Sequence, residues 1–237
     1  MIARTTAFTH RGRVRANNED TVAVGEWISE ADMRAPLKLR HELSSPLVCV
    51  IADGMGGHAA GEVASRYVAR RLAGEPEELI DARAAARTLK TIHAELYQAM
   101  QADADLLGMG STAVGLVLAP LLVWFNVGDS RLYRYERGRL VQMSIDDTPP
   151  GPRSGLLTQS LGGALPPVGI APHVGEAPLA VPARFLLCSD GLTDMLADDD
   201  IEDCMKLGDA DAVAEMFELA MRAGGYDNIS IIVASVE

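Results

Sequence analysis

Short runs of apolar residues are the most frequent feature in the order of apolar and polar residues along the chain. An apolar run that is bounded by turn residues is typical of a buried β-strand. The predicted strands are Val22–Ile28, Leu47–Ala52, Thr112–Leu118, Leu121–Val127, Arg131–Tyr135, Arg184–Cys188 and Ile229–Val236. The Ala119-Pro120 step between two of these runs predicts a hairpin turn, and therefore antiparallel pairing.

Three other segments repeat their apolar residues with the period of an α-helix. The apolar positions are Val63, Ala64, Tyr67, Val68 and Leu72 in Ala59–Leu72; Ala85, Leu89, Ile92, Leu96 and Met100 in Ala82–Ala102; and Val213, Met216, Phe217, Ala220 and Met221 in Ala210–Ala223. Because each helix has one apolar face, it needs a partner surface such as a sheet. The order of the elements predicts an α+β fold in which helices flank antiparallel sheets.

The segment Asp146–Leu165 fits neither pattern. It is rich in proline and glycine, as in Thr148-Pro149-Pro150-Gly151-Pro152, and is predicted to be a surface loop. Two interpretations of this loop stay open: a plain connector, or a flap that faces a substrate.

Composition narrows the functional classes. The formal net charge of −12 argues against nucleic-acid binding, because an anionic surface repels the phosphates of a nucleic acid. Cys49, Cys188 and Cys204 form no CxxC pair, which favours a reducing compartment and buried thiols over a structural zinc site. The basic N-terminus lacks the apolar segment of a signal peptide, and Val114–Val127 is too short to span a bilayer. We therefore expect a cytoplasmic protein without membrane association.

Four aspartates share one local context, an apolar strand next to glycine or asparagine. They are Asp53, Asp129, Asp190 and Asp227. Taken singly, each is most simply a turn residue that hydrogen-bonds to its own backbone. If the strands lie side by side, the four carboxylates converge, and a divalent cation would remove their mutual repulsion. A set of oxygen ligands without histidine or cysteine favours magnesium or manganese over zinc.

A fifth motif, Gly12–Asp20, places Arg15 shortly before Glu19 and Asp20. Its simplest interpretation is a surface salt bridge between Arg15 and Glu19. Next to a metal site made of carboxylates, a clamp for a phosphate becomes the better hypothesis, because guanidinium donates two parallel hydrogen bonds.

These motifs together resemble the PPM, or PP2C-type, family of metal-dependent protein phosphatases, and the Asp-Gly-Met-Gly-Gly form resembles its bacterial branch. The resemblance extends over nearly the whole chain and rests on six segments in the family's order: Val14–Asp20, Ala52–His58, Gly110–Ala113, Gly128–Arg131, Ser189–Leu192 and Asp227–Ser230. It implies one α-β-β-α sandwich domain of residues 1–237, with a short flap-like loop at about 146–165. It also implies a serine/threonine protein phosphatase.

The resemblance further implies two Mn²⁺ or Mg²⁺ ions at one end of the sheets. Asp53 would bridge both ions, the Gly54 carbonyl would bind one of them, and Asp190 and Asp227 would hold the other. Two adjacent cations lower the pKa of a shared water, which would then attack the phosphorus in line near neutral pH.

The remaining roles concern the surroundings of the two ions. Glu19 and Asp20 would contact metal-bound waters, and Asp129 together with Asp190 would form a third, weaker metal site. Arg15 would bind the substrate phosphate. No cysteine nucleophile or phosphoenzyme is required.

Two departures from the family concern the leaving group and the flap. Met55 stands where some members carry a histidine that protonates the leaving oxygen, so a metal-bound water or His58 would supply the proton. The loop 146–165 is shorter than the usual flap and lacks its Asp-His-Ser entry.

The expected partners are phosphoserine and phosphothreonine proteins, namely a Hanks-type kinase and its substrates, such as a forkhead-associated-domain protein. Some similar enzymes belong to type VI secretion operons. The alternatives are a catalytically inactive phosphoprotein-binding module and a switch phosphatase of the sporulation type, which usually carries extra sensor domains. We expect a monomer.

Overall fold

The computed structural model describes residues 1–29, 31–56, 60–150 and 155–237. The strands in these ranges are β1 Ile2–His10, β2 Asp20–Val24, β3 Trp27–Ile28, β4 Leu37–Glu42, β5 Leu47–Met55, β6 Gly110–Ser111, β7 Ala113–Leu118, β8 Leu121–Val127, β9 Arg131–Glu136, β10 Arg139–Gln142, β11 Leu161–Gly162, β12 His173–Pro178, β13 Ala183–Cys188 and β14 Ile229–Val236. The α-helices are α1 Ala60–Gly74, α2 Ala82–Ala102, α3 Asp190–Thr193, α4 Asp198–Cys204 and α5 Asp209–Arg222, with 3₁₀ turns at Pro76–Leu79 and Ala104–Leu106.

The described strands form two antiparallel sheets. The first has the order β10-β9-β13-β14-β1-β4, and the second has the order β11-β6-β5-β7-β8-β12 with β2 and β3 attached through β5. The predicted hairpin at Ala119-Pro120 joins β7 to β8 and is confirmed by the pairing of Ala113 with Val127.

Three apolar clusters separate four layers. One cluster lies between the two sheets and includes Ile51, Phe185 and Ile232. A second joins the second sheet to α1 and α2, and a third joins the first sheet to α4 and α5. The predicted α-β-β-α sandwich is confirmed, because each sheet buries one face on its partner and the other on helices.

Helix α2 follows its sequence pattern closely. Its N-cap Asp81 accepts a hydrogen bond from the backbone N–H of Ala84 at 2.6 Å, which satisfies one of the unpaired donors at the helix start. All five of its predicted apolar positions are buried.

Helix α1 corrects the sequence-based prediction of its apolar face. Val63 and Tyr67 are 39% and 40% exposed, whereas Ala64, Val68 and Leu72 are fully buried. The helix packs on β5 through its small residues, so the two larger side chains at the border of the stripe remain at the surface.

Other corrections concern strands. The predicted strand Val22–Ile28 is interrupted by a turn at Gly25, whose φ of +55° lies in the left-handed region that glycine tolerates. Sequence patterns missed six strands: β1, β4, β6, β10, β11 and β12. Most are edge strands or carry charged residues on one face, so their apolar signal is weak. Strand β11 lies inside the segment that was predicted to be entirely loop.

Among the described residues, no helix combines the length and the apolar character that a membrane span requires. The three cysteines are free and buried, as predicted, in a protein whose cores need no crosslinks.

Candidate active site

The predicted aspartates lie at one end of the two sheets. Asp53 lies near the end of β5, Asp129 follows β8, Asp190 begins α3 two positions after the last residue of β13, and Asp227 precedes β14. Asp53 is therefore a strand residue rather than a turn residue, which corrects the simplest interpretation of its Asp-Gly step.

The sequence motif that contains Asp20 joins this cluster through strand pairing. Asp20 begins β2 and lies opposite Asp53 in the register with β5. One of its carboxylate oxygens accepts hydrogen bonds from the hydroxyls of Ser189 and Ser230, at 2.8 and 2.6 Å. Asp20 is only 5% exposed. The cradle of two serines therefore holds this carboxylate in the interior next to Asp53.

Burial and mutual repulsion raise the pKa values of carboxyl groups in this cluster. Burial raises the pKa of Asp53 well above its usual value, and the neighbouring Asp20, Asp190, Asp227 and Asp129 carboxylates raise it further. Carboxylates that repel each other in a poorly solvated place are costly to ionise without a cation.

The same causes act on three further members of the cluster. Burial raises the pKa of Asp190 to about 8, with repulsion from Asp129 and Asp227 adding to it. Burial also raises the pKa of Asp129 and of Asp20 to about 6, although the serine hydrogen bonds to Asp20 oppose the shift. The four aspartates therefore share one electrostatic environment.

The donor set fits hard divalent cations. Among the described residues, the Oδ1 atoms of Asp20 and Asp190 are buried and accept no hydrogen bond. Among the residues that the structure describes, no group of three or more acidic, histidine or cysteine side chains is already placed to hold a metal ion. The fit rests instead on chemistry, because all the converging donors are oxygens, the ligands that magnesium and manganese prefer.

Gly54 lies where the backbone must come close to its neighbours. A Cβ atom at this position would meet the carbonyl oxygens of Gly61 at 2.2 Å and of Glu19 at 2.7 Å. The backbone N–H of Gly54 donates to that Glu19 carbonyl at 3.2 Å. Only glycine fits between α1 and the N-terminal loop, and its carbonyl remains beside Asp53.

Arg15 lies at the rim of the cluster. Its Nη2 donates to Asp227 Oδ2 at 2.6 Å, and this hydrogen bond raises the pKa of the guanidinium. The partner is therefore Asp227 and not Glu19, which corrects the simple salt-bridge interpretation. The Arg15 side chain is 54% exposed and can reach an incoming anion.

Glu19 lies next to the cluster, against α1. Burial raises the pKa of its carboxyl, and repulsion from Glu62 contributes as well. A Cβ atom on Gly61 would meet Glu19 Oε2 at 2.8 Å, so the carboxylate packs directly on that helix.

Asn228 is a site residue to which the sequence analysis gave no role, because it appeared there only within the motif Asp227–Ser230. Its side chain accepts a hydrogen bond from the Glu19 N–H at 2.7 Å and donates to the carbonyls of Asn17 and Arg11, at 2.9 and 3.1 Å. The loop that carries Arg15 and Glu19 is thereby tied to the start of β14. Its position directly after Asp227 was the available signal.

Thr112 holds the backbone of Asp53 in a similar way. The Asp53 N–H donates to Thr112 Oγ1 at 3.1 Å, and the Thr112 N–H donates to the Asp53 carbonyl at 2.8 Å. Thr112 Oγ1 also lies 2.9 Å from Ser130 Oγ, beside Asp129. The hydroxyl residues of the Gly-Ser-Thr and Asp-Ser motifs thus connect the strands that carry Asp53 and Asp129.

The described part of the loop 146–165 lies over this end of the molecule. Thr148 and Gly155 line a small cavity together with Asp129, Asp190 and Asp194. His58, the residue considered as a proton donor, lies outside the described residues, as do residues 151–154 of the loop.

Comparison with known proteins agrees with this geometry. Residues 37–225 match the model of the family described as protein phosphatase 2C. The chain is 31% identical to serine/threonine protein phosphatase PstP of Mycobacterium tuberculosis over its whole length, and it spans 45% of the length of that relative. It is also 31% identical to serine/threonine phosphatase stp of Listeria monocytogenes, with 95% of this chain and 92% of the relative covered.

The solved structures agree as well. A crystal structure of the catalytic domain of PstP in complex with two manganese ions matches with a TM-score of 0.79 and 29% identity, over 99% of each chain. The family predicted from the six motifs is confirmed: the chain belongs to the protein phosphatase 2C family.

Proposed function

We propose that this chain is a metal-dependent protein phosphatase that hydrolyses phosphoserine and phosphothreonine esters in proteins. The observation that carries the proposal is the convergence of Asp20, Asp53, Asp129 and Asp190, whose carboxyl pKa values are all raised by burial and by neighbouring acids. The names of the bacterial relatives, which are serine/threonine phosphatases, agree with the predicted enzyme class.

Two Mn²⁺ or Mg²⁺ ions would bind in this cluster. Asp53 and the Gly54 carbonyl would contribute to the first ion, and Asp53, Asp190 and Asp227 to the second, with Glu19 and Asp20 close to their waters. Asp129 and Asp190 would form the weaker third site. When bound, the cations supply an activated water and neutralise charge on the phosphate.

The side chains of the chain itself bind and orient the substrate. Arg15, which is exposed at the rim, would turn from Asp227 to the phosphate, where its planar fork can donate two hydrogen bonds. Asn228 holds the loop that carries Arg15, so the guanidinium is placed before the substrate arrives. Met55 carries no titratable proton, so the proton for the leaving oxygen would have to come from elsewhere, with His58 or water at the cation site as its source.

The substrates would be phosphoproteins of a Hanks-type kinase, such as a forkhead-associated-domain protein or a component of type VI secretion. The names of the bacterial relatives, which are serine/threonine phosphatases, support only the coarser class of phosphoserine and phosphothreonine substrates. The buried free thiols support a location in the reducing cytoplasm. Residues 1–237 would form one monomeric phosphatase domain.

The test is metal-dependent turnover. The chain is stripped of metal with EDTA, titrated with MnCl₂, and assayed for phosphate release from a phosphothreonine peptide, with Asp209→Asn as a control at the opposite end of β14. We expect turnover only with metal, in both the wild type and the control. Tight binding of the peptide without turnover would instead favour the inactive binding module.

A further inference from the structure

One buried carboxylate outside the predicted metal cluster, that of Asp147, accepts hydrogen bonds from three donors. The side chain of Asp147 is 7% exposed. It accepts hydrogen bonds from the Gly128 N–H at 2.8 Å, from Gln159 Nε2 at 2.7 Å and from His173 Nε2 at 2.8 Å. A buried carboxylate is costly unless such donors satisfy it, so these three contacts form one cooperative unit.

The three donors come from three different parts of the fold. Gly128 directly precedes Asp129, Gln159 lies on the returning limb of the loop 146–165, and His173 is the first residue of β12. Backbone hydrogen bonds strengthen the connection: the Thr158 N–H donates to the Asp147 carbonyl at 2.7 Å, and the Asp147 N–H donates to the Gly128 carbonyl at 3.0 Å. Asp147 therefore joins both limbs of the loop to the segment that carries Asp129.

Its neighbour Asp146 holds the other side of that segment. Arg131, which is 9% exposed, donates to Asp146 Oδ2 from Nε at 2.9 Å and from Nη2 at 2.6 Å. The consecutive residues Asp146 and Asp147 thus bind Arg131 and Gly128, which lie on either side of Asp129 in the chain. The loop and the Asp129 segment cannot move independently while both contacts persist.

The loop is also fixed at its far end. Gln159 Oε1 accepts a hydrogen bond from the Ala171 N–H at 2.9 Å, and the buried His93 accepts one from the Gly162 N–H at 3.1 Å. Thr148 and Gly155, between these anchors, line the cavity that contains Asp129 and Asp190. The anchors therefore fix both described limbs of the loop beside this cavity.

We propose that Asp147 is a positioning residue for peptide substrates: by clamping Gln159 and His173 to Gly128, it holds the described limbs of the flap, residues 146–150 and 155–165, beside the cavity that contains Asp129 and Asp190. This inference rests on the proposed phosphatase function. A phosphopeptide is large enough to contact these limbs as well as the aspartates, whereas a small phosphate ester needs only the aspartate cluster and Arg15. The clamp therefore acts on peptide recognition more than on the chemical step.

The central variant is Asp147→Asn. An amide presents one acceptor and one donor, so it cannot accept from Gly128 on one side and from Gln159 and His173 on the other. We expect the KM for a phosphothreonine peptide and the Kd from calorimetry to rise about tenfold, because misplaced binding groups lose their alignment with the substrate. Turnover of para-nitrophenyl phosphate at saturating Mn²⁺ should stay within about twofold. Hydrogen exchange should accelerate at the amides of Gly128 and Thr158.

Two further variants make the test independent of the folding of Asp147→Asn. His173→Leu removes one donor and should reproduce the peptide defect in part, whereas His173→Gln keeps a donor and should restore it. Asp209→Asn, which disturbs a half-buried carboxylate held by Arg184, should leave the peptide constants and the loop exchange unchanged.

Equal losses on the peptide and on the small ester, or unchanged exchange at Gly128 and Thr158, would overturn the proposal. A wild-type chain that turns over neither substrate would instead refute the phosphatase function. In that case the calorimetric Kd and the exchange rates still decide whether Asp147 positions the flap.

Discussion

Asp20 and Asp53 lie directly opposite each other across the β2–β5 strand pair. Like charges in this relationship destabilise a sheet, and here Asp20 is also buried and Asp53 partly buried. The pair is stable only if a proton or a cation offsets the repulsion. This competition between protons and cations determines how the protein should respond to pH, metal and mutation.

The stability of the metal-free protein should fall as the pH rises. Folding raises the pKa of Asp190 from 3.8 to about 8 and that of Asp129 from 3.8 to about 6. Between pH 4 and pH 8 the folded state therefore binds more protons than the unfolded state, so the free energy of unfolding decreases across this interval. We expect Tm in EDTA to fall by about 5 °C or more, measured by differential scanning calorimetry.

Two comparisons check that Asp190 causes this dependence of Tm on pH. Asp190→Asn should flatten the dependence of Tm on pH, because the amide does not titrate, whereas Asp209→Asn should leave the slope unchanged. Saturating Mn²⁺ should reduce the fall of Tm with rising pH. An Asp190→Asn slope equal to that of the wild type would mean that other groups cause the effect.

Removing a carboxylate from the cluster should abolish activity and spare the fold. Asp190→Ala and Asp227→Ala each remove a proposed metal ligand, and the Oδ1 atom of Asp190 is buried without a hydrogen-bond partner that the fold would lose. Outer-shell partners of a metal cost 10–100-fold in affinity or activity when mutated, so a direct ligand should cost at least about 100-fold in kcat/KM. The measurements are phosphopeptide turnover and Mn²⁺ calorimetry, with circular dichroism for the fold. Wild-type turnover in either variant would refute the ligand assignment.

Arg15→Ala should weaken substrate binding with little effect on stability. The Arg15–Asp227 pair is half exposed, and such pairs contribute about 0–1 kcal/mol, so Tm should hardly change. The KM should rise about tenfold, and Arg15→Lys should recover only part of this loss, because an ammonium lacks the planar fork. An unchanged KM in Arg15→Ala would exclude the phosphate clamp.

Asn228→Ala should destabilise the protein and impair activity at the same time. The substitution leaves the carbonyls of Asn17 and Arg11 and the Glu19 N–H without their partner. We expect a loss of about 1–3 kcal/mol in the free energy of unfolding, measured by urea denaturation. Hydrogen exchange at Glu19 should increase. Unchanged stability together with full activity would show that the N-terminal loop holds its position without this residue.

Strand and helix types were readable wherever a local pattern was strong. The stripe of α2 from Ala85 to Met100 is buried as predicted, because every position faces the same apolar layer. The charged edge strand β4 was not predicted, since its alternation of Leu37, Leu39 and charged residues gives little signal without its partner β1. The predicted apolar face of α1 was wrong at Val63 and Tyr67, because only the packed helix shows which side of a wide apolar stripe contacts the sheet.

The sequence by itself determined the family of this protein and the residues on which the proposed chemistry depends: oxygen donors next to glycine, an arginine near two acids, and motifs in the order of the phosphatase family. Only the tertiary structure decided that Asp20 faces Asp53, that Arg15 pairs with Asp227, and that Asp147 gathers Gly128, Gln159 and His173. The physical reason is that these relationships depend on strand order and register. Both are fixed by contacts between residues far apart in the chain, which no local pattern records.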